Sequence, residues 1–230
     1  MAESIVIPQR FNGPPQSGNG GYACGLVARL LDTGTAEVTL RSPPPLERPL
    51  TVARDGETVA VSDGETLVAE GRPAQLELEL PAAVGVAAAE AASLAGRERW
   101  TGHHPFPTCV VCGPDRDEGD GFRVFPGALP GREGQFAAVW TPDEARPERV
   151  WAALDCPTSA PVANFGVGPP LVLGRLTARL DAEVEPGRPH VLISWPLEVD
   201  GRKRHAGAAL FSSHGRLLAV SRALWIELRI

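Results

Sequence analysis

Cys109-Val110-Val111-Cys112-Gly113, followed by Gly119-Asp120-Gly121-Phe122-Arg123-Val124-Phe125, is the stretch on which the reading of the fold turns. Two cysteines at this spacing are half of a zinc site or a redox dithiol. They also suit a tight turn leading into a strand, with small apolar thiols packed beneath it. The residues that follow favour the turn, with Phe122 to Phe125 as the strand it feeds. A tetrahedral zinc site would need His103, His104 or Cys156 to complete the pair. The chain has no second Cys-x-x-Cys, so no metal ligand is assigned. No thioredoxin-like βαβ pattern surrounds the pair, which argues against redox chemistry.

Upstream of this stretch, Ser4 to Arg10 reads as a short strand. Phe11-Asn12-Gly13-Pro14-Pro15-Gln16-Ser17-Gly18-Asn19-Gly20-Gly21 has loop chemistry throughout. Tyr22, Leu26, Val27, Leu30 and Leu31 fall at helical spacing and predict a buried helix. Strands are expected at 36–40, 50–53, 58–61 and 66–70, with Asp55-Gly56 as a hairpin turn. Residues 82–95, rich in Ala and Glu, predict a helix that carries the chain from one half to the other. Downstream, Gln135 to Trp140 reads as a strand and Arg149 to Leu154 as helical. Asp155-Cys156-Pro157 breaks that pattern, and strands follow at 171–184, 191–199, 205–211 and 217–228. Each half thus runs from a Gly- or Pro-rich loop through a short helical segment to an antiparallel meander.

The chain's 230 residues suit one large domain or two smaller ones, and 43% apolar content provides real cores. A formal net charge of −6 gives no attraction to phosphate backbones, so no nucleic-acid partner is expected. Lys203 is the only lysine among the basic residues. Met1-Ala2-Glu3-Ser4 shows no basic region followed by an apolar run, and no stretch is long enough to span a membrane. A cytoplasmic protein with Cys24, Cys109, Cys112 and Cys156 as reduced thiols is the expectation.

The repeated grammar, helix first and then a curled antiparallel sheet, resembles the hotdog fold. Phe11-Asn12-Gly13-Pro14-Pro15 with Asn19-Gly20-Gly21-Tyr22 is similar to the loop and helix start of an N-terminal unit. Cys109-x-x-Cys112-Gly113 with Gly119-x-Gly121-x-x-Val124-Phe125 is similar to the opening strand of many single-hotdog proteins. The chain therefore looks like a two-hotdog, thioesterase-like protein of the acyl-CoA thioesterase superfamily. The resemblance implies an α+β tandem (double) hotdog, with units at 1–98 and 99–230, each a curved antiparallel sheet wrapped around a central helix. Asp155-Cys156-Pro157 would be the loop opening the second central helix. The implied ligand is a small acyl thioester in the groove between units, with coenzyme A as part of the substrate and no separate cofactor. Pairing of such units also allows a homodimer.

Thioester hydrolysis needs donors for an oxyanion and a group that activates water. The Gly20 and Gly21 amides, entered through Asn19 and followed by Tyr22, could bind a carbonyl or phosphate oxygen, or Asn19 could simply cap the helix. Asn12 could orient water or bond its own turn. Asp155 could be the general base, or it could cap helical backbone from Thr158 to Phe165. Cys156 could be a nucleophile or an inert buried thiol. The resemblance ranks Asp155 above Cys156, because hotdog thioesterases usually use a carboxylate. His104 could line the mouth of the slot, whereas its neighbour His103 would point the opposite way. Arg204 and His205, in a basic run, could meet the phosphates of coenzyme A or form a solvated hairpin tip. A non-catalytic acyl binder is the alternative to the enzyme. A dehydratase-like hotdog would want a His near the first central helix, and none is seen there.

Overall fold

The computed structural model describes residues 3–102, 104–163 and 168–229, so His103 lies outside the described residues. The first half supplies strands β1 (Ser4–Ile5), β2 (Thr35–Leu40), β3 (Leu50–Asp55), β4 (Thr58–Asp63) and β5 (Thr66–Pro73). The second half supplies β6 (Gly127–Ala128), β7 (Phe136–Trp140), β8 (Leu171–Leu180), β9 (His190–Asp200), β10 (Lys203–Ser212) and β11 (Leu217–Glu227). Helices are α1 (Gly20–Ala28), α2 (Val86–Trp100) and α3 (Pro147–Asp155). Among the described residues the strands form one 11-stranded sheet in the order β1-β3-β4-β5-β2-β8-β11-β10-β9-β7-β6. The two halves meet where β2 pairs antiparallel with β8, Val38 opposite Leu176 and Ala36 opposite Ala178. These four side chains are buried. Glu37, on the other face of β2, bonds instead to Thr177 and pairs with Arg72.

One face of the sheet holds α1 and α3, which pack against Val38, Val61, Leu176, Leu192 and Leu210 in the main core. The opposite face is covered over its C-terminal part by α2, whose Ala89 and Ala92 meet Ala137, Ile193 and Ala209. Successive side chains of a strand point to opposite faces. Leu192 therefore enters the helix core while Val191 and Ile193 meet α2. A strand buried on both sides reads as an unbroken apolar run, as the start of β9 does. Gly56 (φ +58°) takes the left-handed conformation that the β3–β4 hairpin turn requires.

α1 and α3 run antiparallel at close range. A Cβ on Gly25 would lie 2.5 Å from Glu148 Cα, and one on Gly21 would lie 2.4 Å from Asp155 Cβ. Glycine at these two positions, one turn apart, lets the backbones approach. Arg149, buried in the first turn of α3, lies with its guanidinium 5.6 Å from the Phe11 ring centre and 5.7 Å from that of Phe122. Its guanidinium also pairs with Asp143, whose side chain is exposed.

Two sequence expectations need correction. Phe122 to Phe125 is not a strand. Phe122 and Val124 donate to the Val110 and Val111 carbonyls, but Arg123 has φ +56° and breaks the extended run. Asp155 does not open a helix: it closes α3, and Cys156–Ser159 is a short 3-10 turn after it with no side-chain cap from Asp155. None of the helices among the described residues is long and apolar enough to cross a membrane.

Candidate active site

The site is assembled at the start of α1 from three segments. The first is the loop 12–19, closed by Gly13 N–H to the Ser17 carbonyl (2.9 Å) and Asn19 N–H to the Phe11 carbonyl (2.8 Å). The second is the cysteine turn, docked on that loop by Val110 N–H to the Asn12 carbonyl (2.9 Å). Gly113 closes the turn through its N–H to the Cys109 carbonyl (2.8 Å). A side chain at 113 would meet the Cys109 and Pro107 carbonyls at 2.5 Å, so the glycine after the second cysteine is sterically required. The third segment is the end of α3 with Asp155 and Cys156.

Asn19 is the hub. Its Oδ1 accepts from Tyr22 N–H at 2.9 Å and caps α1. Its Nδ2 faces Asp155 Oδ2 at 3.3 Å, Cys156 Sγ at 3.6 Å and Cys109 Sγ at 3.8 Å. Gly21 N–H donates to Asp155 Oδ2 at 2.8 Å. Asp155 thus caps the helix of the other half, where a carboxylate is stabilised by the positive end of the helix. Ala23 N–H continues the ladder to the Asn19 carbonyl. Gly20 N–H is left without a partner among the described residues.

Asp155 is 1% exposed, and its Oδ1 has no partner among the described residues. Desolvation pushes its pKa up to about 7, against the opposing hydrogen bonds from Gly21 and Asn19. Beside it, the sulfurs of Cys109, Cys112 and Cys156 lie within 4.8 Å of one another. Hydrogen bonds from Cys112 and Cys156 hold the Cys109 thiol well below its usual range. Burial first of all pushes Cys112 up, and the hydrogen bond with Cys109 pushes Cys156 up. His104 places Nε2 3.2 Å from Cys112 Sγ, and its Nδ1 accepts from Phe106 N–H at 2.9 Å.

Asn19, Gly20, His104, Asp155 and the three cysteines border one cavity of about 770 Å³, within the range of small-molecule pockets. Its polar end is Asn19, Gly20, Asp155 and the three cysteines; its apolar walls include Leu40, Leu173, Trp225 and Leu228. Arg41 stands on its wall with a half-exposed side chain. At the other end of the helix pair, α3 begins with Pro147, which has no N–H at the position that Gly20 holds in α1.

Of the residues expected from sequence, Asn19, Gly20, His104, Asp155 and Cys156 share this cavity wall. Asn12 lies in the adjoining loop, where Nδ2 donates to the Gly13 carbonyl at 3.1 Å and Thr108 Oγ1 at 3.3 Å, and Oδ1 accepts from Arg116. Gly21 is covered by Asp155, and Tyr22 stacks on Phe11 at 3.9 Å between ring centres. Arg204 and His205 begin β10; Arg204 pairs with Glu227, and neither borders the cavity. Arg41 and Leu173 had no distinguishing signal in the sequence. Cys109 and Cys112 did, in their spacing.

A scan against models of known protein families found no match, and a search of curated proteins found none either. Solved structures do match. A conserved protein of unknown function with a hotdog fold from Alicyclobacillus acidocaldarius has a TM-score of 0.66 at 11% identity, covering 99% of this chain and 93% of that one. An acyl-CoA thioesterase II from Mycobacterium marinum has a TM-score of 0.61 at 12% identity, covering 99% and 93%. The dehydratase domain of a mycocerosic acid synthase-like polyketide synthase has a TM-score of 0.59 at 14% identity, covering 99% and 90%. With the large antiparallel sheet, these likenesses show a hotdog fold.

Proposed function

We propose that this chain is a tandem hotdog of the thioesterase-like kind, with units at 1–98 and 99–230, and that it hydrolyses an acyl thioester in the cavity at the start of α1. The observation that carries the reading is the unpartnered Gly20 N–H at a helix start, next to a buried carboxylate with a free oxygen, at the polar end of an apolar cavity. The acyl chain lies along Leu173, Leu40 and Trp225, and each buried methylene contributes about 0.8 kcal/mol. Gly20 N–H stabilises the oxyanion that forms as water adds to the thioester carbonyl. Asp155 accepts the proton of that water through Oδ1. Collapse of the tetrahedral intermediate breaks the C–S bond, and the thiolate leaves and takes up a proton. Arg41, at the cavity wall and paired with Glu70, is the arginine of the cavity lining and would meet a phosphate of coenzyme A by exchanging that partner.

The experiment is free-thiol release from acyl-CoAs of short, medium and long chain by the wild type and by Asp155→Asn. Loss of the base is expected to lower kcat by about 10²–10⁴-fold. Turnover at no chain length, or an Asp155→Asn variant as fast as wild type, rejects hydrolysis through Asp155.

One observation favours a second reading, a non-catalytic acyl binder: Asp155 Oδ2 is already engaged by Gly21 N–H and Asn19, as in a purely structural cap. That reading predicts melting shifts with the same acyl-CoAs and no thiol release. Association of two chains into a homodimer is also part of the proposal, and light scattering of the purified protein reads it directly.

A further inference from the structure

We infer that Cys109, Cys112 and Cys156 are the ligands of a zinc ion, bound through three thiolates with the fourth position toward the cavity. The cysteine turn and the end of α3 are far apart in sequence, yet the fold brings their three sulfurs within 4.8 Å of one another. Zn–S bonds of about 2.3 Å in a tetrahedron place sulfurs about 3.8 Å apart. Cys109 and Cys156 stand at 3.8 Å. All three thiols are buried and none is in a disulfide.

Side-chain N–H donors converge on all three sulfurs. Asn19 Nδ2 faces two of the sulfurs, at 3.6 and 3.8 Å. His104 supplies a donor to the third. Because its Nδ1 accepts the Phe106 N–H, the ring proton sits on Nε2, 3.2 Å from Cys112 Sγ. His104 is therefore an outer donor that orients a ligand, as is usual around bound zinc, and the ligand set is the three sulfurs. Three protein ligands and one position open to a cavity is the arrangement of a zinc site that admits water or substrate. Asp155, whose Oδ1 is buried and has no partner among the described residues, is a residue of the same cavity wall. Cys24 is excluded from the cluster; its sulfur points to the Val38 carbonyl within α1's own packing.

Metal content reads this inference without substrate, so it stands or falls apart from the thioester proposal. The protein purified without chelator is expected to carry about one zinc per chain by elemental mass spectrometry. Reduced, metal-stripped wild type titrated with Co²⁺ is expected to develop thiolate-to-cobalt charge-transfer absorption that added Zn²⁺ abolishes. Cys112→Ser and Cys156→Ser are expected to lose the metal, and Cys24→Ser to keep it. His104→Ala is expected to remain able to fill with zinc while binding about 10–100-fold more weakly. The cobalt titration needs no variant, so a misfolded mutant does not protect the inference. It is overturned if the wild type takes up neither ion, if Cys156→Ser holds zinc as tightly as wild type, or if intact mass shows a disulfide within the trio in the metal-free protein as purified.

Discussion

At the residue scale, Asp155 shows how one side chain can be recognised by type and misread by position. The tripeptide Asp155-Cys156-Pro157 has the look of a helix start, since Asp favours the N-cap and Pro the first turn. The carboxylate does cap a helix N-terminus, but it is that of α1, 134 positions earlier in sequence. Periodicity and local motifs describe contacts within a segment and are blind to a cap supplied from another. Asn19, by contrast, caps its own helix, and its role was legible. The three-cysteine cluster was half legible: the pair announced itself, while Cys156 joins it only through the fold.

A second buried group gives a test of the surrounding packing. His190 donates from Nδ1 to the Arg188 carbonyl at 2.8 Å, and its Nε2 accepts from Glu185 N–H at 3.4 Å. Accepting at Nε2 needs the neutral ring, and burial holds its pKa below the ordinary value. The unfolded chain therefore takes up a proton first as pH falls below about 6.5, the ordinary histidine value. Below that point the unfolded state binds more protons than the folded one, so acid removes stability that is present above it. His190→Gln, which keeps a polar group without this titration, is expected to lose less stability than wild type between neutral pH and the lower end of that window. Urea unfolding at a series of pH values measures it, and equal pH slopes for both proteins would refute the assignment.

At the scale of elements, the crossing of α1 and α3 sets the site. Gly21 and Gly25 let α3 come close enough for Asp155 to reach the first turn of α1. Sequence reading placed both helical segments but missed that they cross, because a glycine inside a helix reads as a flaw in the pattern and not as a contact. Gly25→Ala separates the two effects. Alanine improves helix propensity by up to about 1 kcal/mol. Overpacking a tight contact costs about 1–3 kcal/mol, and here the obstacle is Glu148 Cα, a backbone atom that no rotamer change can move. Clash is expected to win, with a net loss of about 1–2 kcal/mol in urea unfolding. A more stable variant would mean that the helices are not held this close in solution.

At the scale of the whole molecule, the alternation of Gly- or Pro-rich loop, short helix and meander was enough to foresee a large antiparallel sheet around buried helices. The strands of the meanders were legible because hairpin turns such as Asp55-Gly56 and Asp200-Gly201 separate apolar runs. The β2–β8 seam was not, since pairing between strands about 140 residues apart leaves no local signature; only their buried faces, Val38 against Leu176, fix the register. Nor was the position of α2 on the outer face, where it covers β7 and β9. The consequence of the seam is one cavity lined from both halves, with Leu40 from the end of β2, Leu173 from β8 and Asp155 from α3. The most direct test of the account is therefore kcat/KM for acyl-CoA hydrolysis as a function of chain length, in wild type and in Asp155→Asn. The account predicts that kcat/KM rises by up to about fourfold for each added methylene until the cavity is filled, and that Asp155→Asn lowers kcat at every length while keeping that dependence. Hydrolysis that is indifferent to chain length and to Asp155, or no hydrolysis of any member of the series, would contradict it.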